Sequence, residues 1–126
     1  MADYIACFRT NRFPVRDAMR FRAWIETVYN IDFVDEHVEG GKPVFEVGGY
    51  SSIPDLREEG DDPTEIDFIA ELAKHLPEGE QAIITEVGHE KLRYLVGFSV
   101  AVDHLGSRVE VNVDDILDRT VKAAAS

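Results

Sequence analysis

At 126 residues the chain has the length of one domain with one hydrophobic core, and 44% apolar content is enough to build that core without a metal or a disulfide. Its 25 acidic against 13 basic residues leave a formal charge of -12, which largely excludes a freestanding nucleic-acid binder or a protein held on an anionic membrane. The one cysteine, Cys7, makes no intramolecular disulfide, and the N-terminal MADYIACFRTNRF has no apolar run of signal-peptide length, so a soluble cytoplasmic protein is the expectation.

Along the chain, Tyr4 to Phe8 is a short β-prone run, broken by Asn11 to Val15 with its proline. Arg16 to Val28 then sets Phe21, Trp24, Ile25 and Val28 at i, i+3, i+4 and i+7, the apolar stripe of a helix that Asn30 stops. Ile31 to Val38 and Pro43 to Val47 read as a hairpin, because Gly40-Gly41 between them accepts the positive φ of a tight turn. Gly48 to Asp62 is too polar and broken for regular structure and reads as a long working loop.

A second helix is predicted to start at Asp62, with Pro63 in the first helical position and Glu65 three residues after the cap. Ile66, Ile69, Ala70, Ala73 and Leu76 form its buried stripe, widened by Phe68 and Leu72, and Pro77 ends it. Three strands follow at Ala82 to Val87, Leu92 to Val102 and Arg108 to Val113, the last alternating valines with polar residues. A final helix runs from Asp114 to about Ala124, carrying Ile116, Leu117, Thr120 and Val121. The order β-α-β-β-α-β-β-β-α predicts a single α+β domain over 1–126, a mainly antiparallel sheet of about five to six strands with three helices packed on it.

The charge is bipolar. Arg9, Arg12, Arg16, Arg20 and Arg22 against Asp17 give a local +4, a basic corner. Asp55, Glu58, Glu59, Asp61, Asp62, Glu65, Asp67 and Glu71 against Arg57 give a local -7 over seventeen residues. Such runs serve as solvated faces or as adaptation to high salt, but a fixed array of carboxylates also fits a groove made for phosphates. Arg16 and Arg20, one turn apart, decorate an exposed helix face, while Arg9 and Arg12 are candidates for an anion site or for self-association with an acidic patch.

No P-loop, GxGxxG, GxSxG, HExxH or CxxC is present. His37, His75, His89 and His104 lack metal-ligand spacing, and no metal or cofactor is expected. Asp55 to Ile66 superficially resembles a calcium loop, but Arg57 replaces a ligand and Ile66 stands where the bidentate glutamate belongs. Cys7, within an apolar strand, reads as a buried small hydrophobe. Glu86, His89, Glu90 and Tyr94, around a turn at Gly88, form the most enzyme-like cluster, although polar hairpin residues explain it equally well.

The run EVGHEKLRYLVGF from Glu86 to Phe98, followed by Asp114-Asp115-Ile116, resembles a block of small acidic proteins carried on plasmids, phages and other mobile elements; Arg9 to Phe13 and Asp67 to Ala73 are also similar. The resemblance carries no activity, but it implies a context in which small acidic proteins inhibit host defence, as anti-restriction or anti-CRISPR proteins do. The expectation is a non-enzymatic interaction protein that binds a basic, nucleic-acid-handling protein. Asp55, Glu58, Glu59, Asp61, Asp62, Glu65 and Asp67 would supply charge, with Tyr50, Ile53 and Leu56 as apolar anchors. The alternatives are a small enzyme or ligand-binding domain using Glu86, His89 and Tyr94 in a pocket beside the sheet, and a homo-oligomer joined through the basic corner and the acidic patch.

Overall fold

The computed structural model describes residues 4–91 and 93–113. Over these the chain runs β1 (Tyr4–Thr10), β2 (Phe13–Pro14), α1 (Ala18–Ile25), β3 (Phe33–Glu39), β4 (Lys42–Gly49), β5 (Leu56–Glu59), β6 (Asp62–Glu65), α2 (Phe68–Ala73), β7 (Gln81–Glu90), β8 (Tyr94–Asp103) and β9 (Arg108–Asn112). Seven strands form one antiparallel sheet, in which β3 pairs one edge of β4 while β2 and β1 pair the other, and β7, β8 and β9 continue outward from β1. β5 and β6 form a separate two-stranded hairpin.

This overturns the expected α+β architecture of three helices on five to six strands. Among the described residues the protein is mostly antiparallel sheet with two short helices, of eight and six residues. The expected helix from Asp114 lies outside the described residues. Two further differences have clear causes. Pro63 does not open a helix but lies in β6 opposite Glu58, and Asp62 faces Glu59 across a turn where Gly60 takes a φ of 65°. The helix starts five residues later, where the Asp67 carboxylate accepts from the Ala70 N–H; of the segment read as a loop, 50–55 has no strand or helix, and from Leu56 on it is the hairpin. Gly88 is no turn either: it sits inside β7 opposite Val96, and the chain reverses at Lys91, whose φ is 48°. A side chain at position 88 would come within 2.7 Å of the Tyr4 ring, so only glycine lets that ring lie against the strand.

Strand alternation divides the sheet into two faces. Phe8, Phe45, Val47, Ala82, Ile84, Val100 and Val102 point to the face that α1 and α2 cover with Phe21, Ile25, Phe68 and Leu72. Phe21 is the centre of this core, its ring 4.6 Å from that of Phe45 and 5.5 Å from that of Phe13, while Trp24 stacks on Phe68. Burial holds the His75 imidazole, packed against Phe21 and Trp24, below its ordinary pKa of 6.5, and outweighs the opposite pull of Glu71 and Asp17. α1 ends at Ile25 although Val28 continues its stripe, because the backbone from Thr27 to Tyr29 turns to pair with β5. No helix among the described residues is long and apolar enough to cross a membrane.

Candidate functional site

The acidic run is carried mainly by the β5–β6 hairpin. It is fastened to the rest of the molecule along one edge: Tyr29 N–H donates to the Leu56 carbonyl, Glu58 N–H donates to the Thr27 carbonyl, and Val28 bridges Arg57. Along the hairpin Glu58, Glu59, Asp61, Asp62 and Glu65 are all exposed, with Glu59, Asp61 and Asp62 around the turn and Glu65 at the base opposite Leu56. The only cation on the hairpin is Arg57, which lies 3.7 Å from Glu59 and 3.8 Å from Glu71 of α2. Among the described residues Glu58, Asp61, Asp62 and Glu65 have no ion-pair partner. Glu59 and Asp62 stand directly opposite each other in the register, an arrangement of like charges that weakens a hairpin.

The remaining residues expected to join this surface are divided among other tasks. Asp67 caps α2 and accepts from Arg108; partial burial pushes its carboxyl up, but the Ala70 N–H and Arg108 outweigh that and hold it below its usual range. Ile53 packs against the core and its N–H donates to Glu86, while Leu56 is half-buried in β5. Asp55 is exposed where the chain enters the hairpin, its backbone carbonyl accepting from Ile66. Tyr50, 87% exposed, lies instead at the edge of a hollow beside Cys7.

The basic corner differs from the acidic hairpin in being internally matched. Arg9 donates to Glu46 at 2.8 Å, Arg12 reaches both Glu46 and Glu39, and Arg22 pairs with Glu36. Arg16 donates to the Leu76 carbonyl and Arg20 lies 3.7 Å from Asp17. Hydrogen bonding from Arg9, with Arg12 and His37 adding to it, holds the Glu46 carboxyl below its usual range against the effect of burial. Asp35, His37 and Glu46 also bring their ligand atoms within 4.8 Å of one another. Both oxygens of Glu46 are already engaged by Arg9, Arg12 and His37, and two guanidinium groups at this distance oppose a cation, so the cluster reads as an ion-pair network. Spacing along the chain hid it; the register of the Gly40-Gly41 hairpin, counted back from Glu39 opposite Lys42, sets Asp35 opposite Glu46.

The cluster of Glu86, His89 and Tyr94 does not converge. Glu86 points to the helix-covered face, where it accepts from Tyr4 O–H and Ile53 N–H, and His89, three residues on, points to the other. Burial, reinforced by Glu86, pushes the Tyr4 phenol up to about 12, so it remains a proton donor fixing the segment before the hairpin.

The sheet face away from the helices is an unforeseen feature. Over β1, β7, β8 and β9 it presents Ile5, Ile83, Val87, Leu95, Val109 and Val111, each between 42% and 69% exposed. Cys7, expected to be buried, is exposed in its midst. A hollow of about 530 Å³ lies at one end, lined in part by Ile5, Cys7, Tyr50 and His89, whose Nδ1 is buried without a hydrogen-bond partner among the described residues. The period-2 alternation of Val109, Val111 and Val113 signalled one face of this surface, but only strand order reveals that the apolar positions of four strands merge.

Comparison with family models, with curated proteins and with solved structures returns no match for this chain.

Proposed function

We propose that the protein is a non-enzymatic interaction protein whose acidic hairpin occupies a basic, nucleic-acid-binding surface of a partner protein, in the manner of anti-restriction or anti-CRISPR inhibitors. The observation that carries this reading is the contrast in pairing: the arginines of the basic corner have partners, whereas Glu58, Asp61, Asp62 and Glu65 have none among the described residues and Glu59 is held against Asp62. A hairpin adapted for stability alone would avoid that register. Five exposed carboxylates grouped on one two-stranded hairpin provide the steering and partner choice that phosphates provide in DNA. The resemblance of the Glu86 to Phe98 segment to proteins of mobile elements supports the same reading, and an exposed, unpaired Cys7 suits a cytoplasmic setting.

The test is affinity capture from host lysate with the native chain and with the variant Glu58→Lys/Glu59→Lys/Asp61→Lys/Asp62→Lys in parallel, each bound fraction then eluted with duplex DNA. A nucleic-acid-binding protein retained by the native chain alone and released by DNA supports the proposal. Equal retention by the two chains refutes the hairpin as the interface.

A further inference from the structure

We propose that the open sheet face of β1, β7, β8 and β9 is the interface of a two-fold dimer between copies of this chain. Ile5, Ile83, Val87, Leu95, Val109 and Val111 are exposed on neighbouring strands of one surface, an apolar patch interrupted by Thr85 and Ser99, whose hydroxyls hydrogen-bond each other. Six large aliphatic side chains about half exposed on one face form a grouped apolar surface rather than the singly scattered apolar residues usual on a monomer, and together with the residues between them they could form the centre of an interface of about 800 Å² per partner.

Charge selects the occupant. A two-fold interface sets each part of a surface against the same surface of the other copy, so any charge near the axis meets its like. The chain carries 25 acidic residues, yet the positions of β7, β8 and β9 on this face from Ile83 to His89, from Leu95 to Ala101 and from Val109 to Val111 include no carboxylate. Arg9 of β1 also faces this side, but its charge is met by Glu46 at the β4 margin of the patch, so over β7, β8 and β9 two molecules of charge -12 can approach without opposing acids. An anionic membrane would be repelled by the net charge. The face is also a pleated sheet surface, suited to packing on another about 10 Å away. Helices and the β5–β6 hairpin lie on the opposite side, so such a dimer leaves both acidic hairpins on its outer flanks.

The dimer is independent of the hairpin's role and has the opposite salt response to an oligomer joined by basic corner and acidic patch. Salt screens the repulsion between the two copies and leaves apolar burial intact, so the dimer persists or strengthens as salt rises, where ion-paired association weakens.

Sedimentation velocity of the full chain over a hundredfold range of concentration, at low and high salt, tests this. The native chain is expected to approach twice its monomer mass at high concentration, with Leu95→Glu and Val109→Glu each weakening association at least tenfold. Alkylation of Cys7 by iodoacetamide is expected to slow as native protein associates and to stay fast in Leu95→Glu. Both substitutions fall at sites 69% exposed, and circular dichroism identifies any variant that fails to fold; Val87→Thr then takes its place, expected to weaken the dimer more mildly. A native chain that remains monomeric throughout overturns the proposal. So does a dimer unaffected by these substitutions, or one that dissociates as salt rises.

Discussion

The β5–β6 hairpin and the β3–β4 hairpin are both rich in charge, and they use it in opposite ways. In β3–β4, Glu36, Glu39 and Glu46 meet Arg22, Arg12 and Arg9, and hydrogen bonding from Arg9, Arg12 and His37 holds the Glu46 carboxyl below its usual range despite its burial. In β5–β6 only Glu59 of five carboxylates meets an arginine among the described residues, and it also faces Asp62 across the strands. A charge run therefore acquires its meaning from register: the acids of β3–β4 belong to the fold, and those of β5–β6 are free to meet something else.

Reversing Glu58, Glu59, Asp61 and Asp62 to lysine is the most severe way to break this contrast. If each of the four exposed contacts is worth about 0.2–1 kcal/mol, partner affinity falls by roughly fourfold to nearly a thousandfold, while the variant remains folded; calorimetric titration against the captured partner and thermal melting measure the two effects. Glu46→Gln should do the reverse, leaving partner binding intact and lowering stability at neutral pH. Because the Glu46 pKa is lower in the folded than in the unfolded chain, its stabilisation is present above the ordinary carboxylate range and disappears as pH falls through the folded value. Urea denaturation at pH 7 and at progressively lower pH is expected to bring Glu46→Gln and the native chain together.

Glu59→Gln sharpens the comparison on a smaller scale. Removing one of two opposed charges is expected to raise stability by a few tenths of a kcal/mol, the opposite sign from Glu46→Gln in the same urea experiment. The narrowest effect of pH, confined to one range, concerns His75, half-buried against Phe21 and Trp24. Its pKa is lower in the folded than in the unfolded chain, so stability is full above 6.5 and declines as pH falls below it until the folded value is passed. His75→Gln is expected to flatten that part of the stability profile while lowering stability throughout, since the ring contacts with Phe21 and Trp24 are lost.

The elements recognisable from sequence are those whose signals are local. The stripe of Phe21, Trp24 and Ile25 lies in α1, the Gly40-Gly41 turn joins β3 to β4, and the alternating valines form β9. The failures arise where distant partners decide. Asp62, Pro63 and Glu65 satisfy the local rules for a helix start, but pairing of the preceding strand with Thr27 to Tyr29 draws them into a hairpin, and the next available cap, Asp67, takes their place. Glu86 and His89 look adjacent in sequence, yet an odd separation along a strand sends them to opposite faces. The acidic run is visible as composition, and Glu58, Glu59, Asp61, Asp62 and Glu65 lie on one hairpin. Asp67 and Ile53 were not separable from it, because their roles as helix cap and core contact depend on contacts the local sequence does not carry.

The most direct test of the hairpin's role is a competition experiment: the captured partner is held at constant concentration with labelled duplex DNA, and the native chain is titrated in. Progressive displacement of DNA by the native chain, weakened by added salt and absent with the four-lysine variant, is the expected result. Simultaneous binding of DNA and the native chain, or equal displacement by the variant, would contradict it.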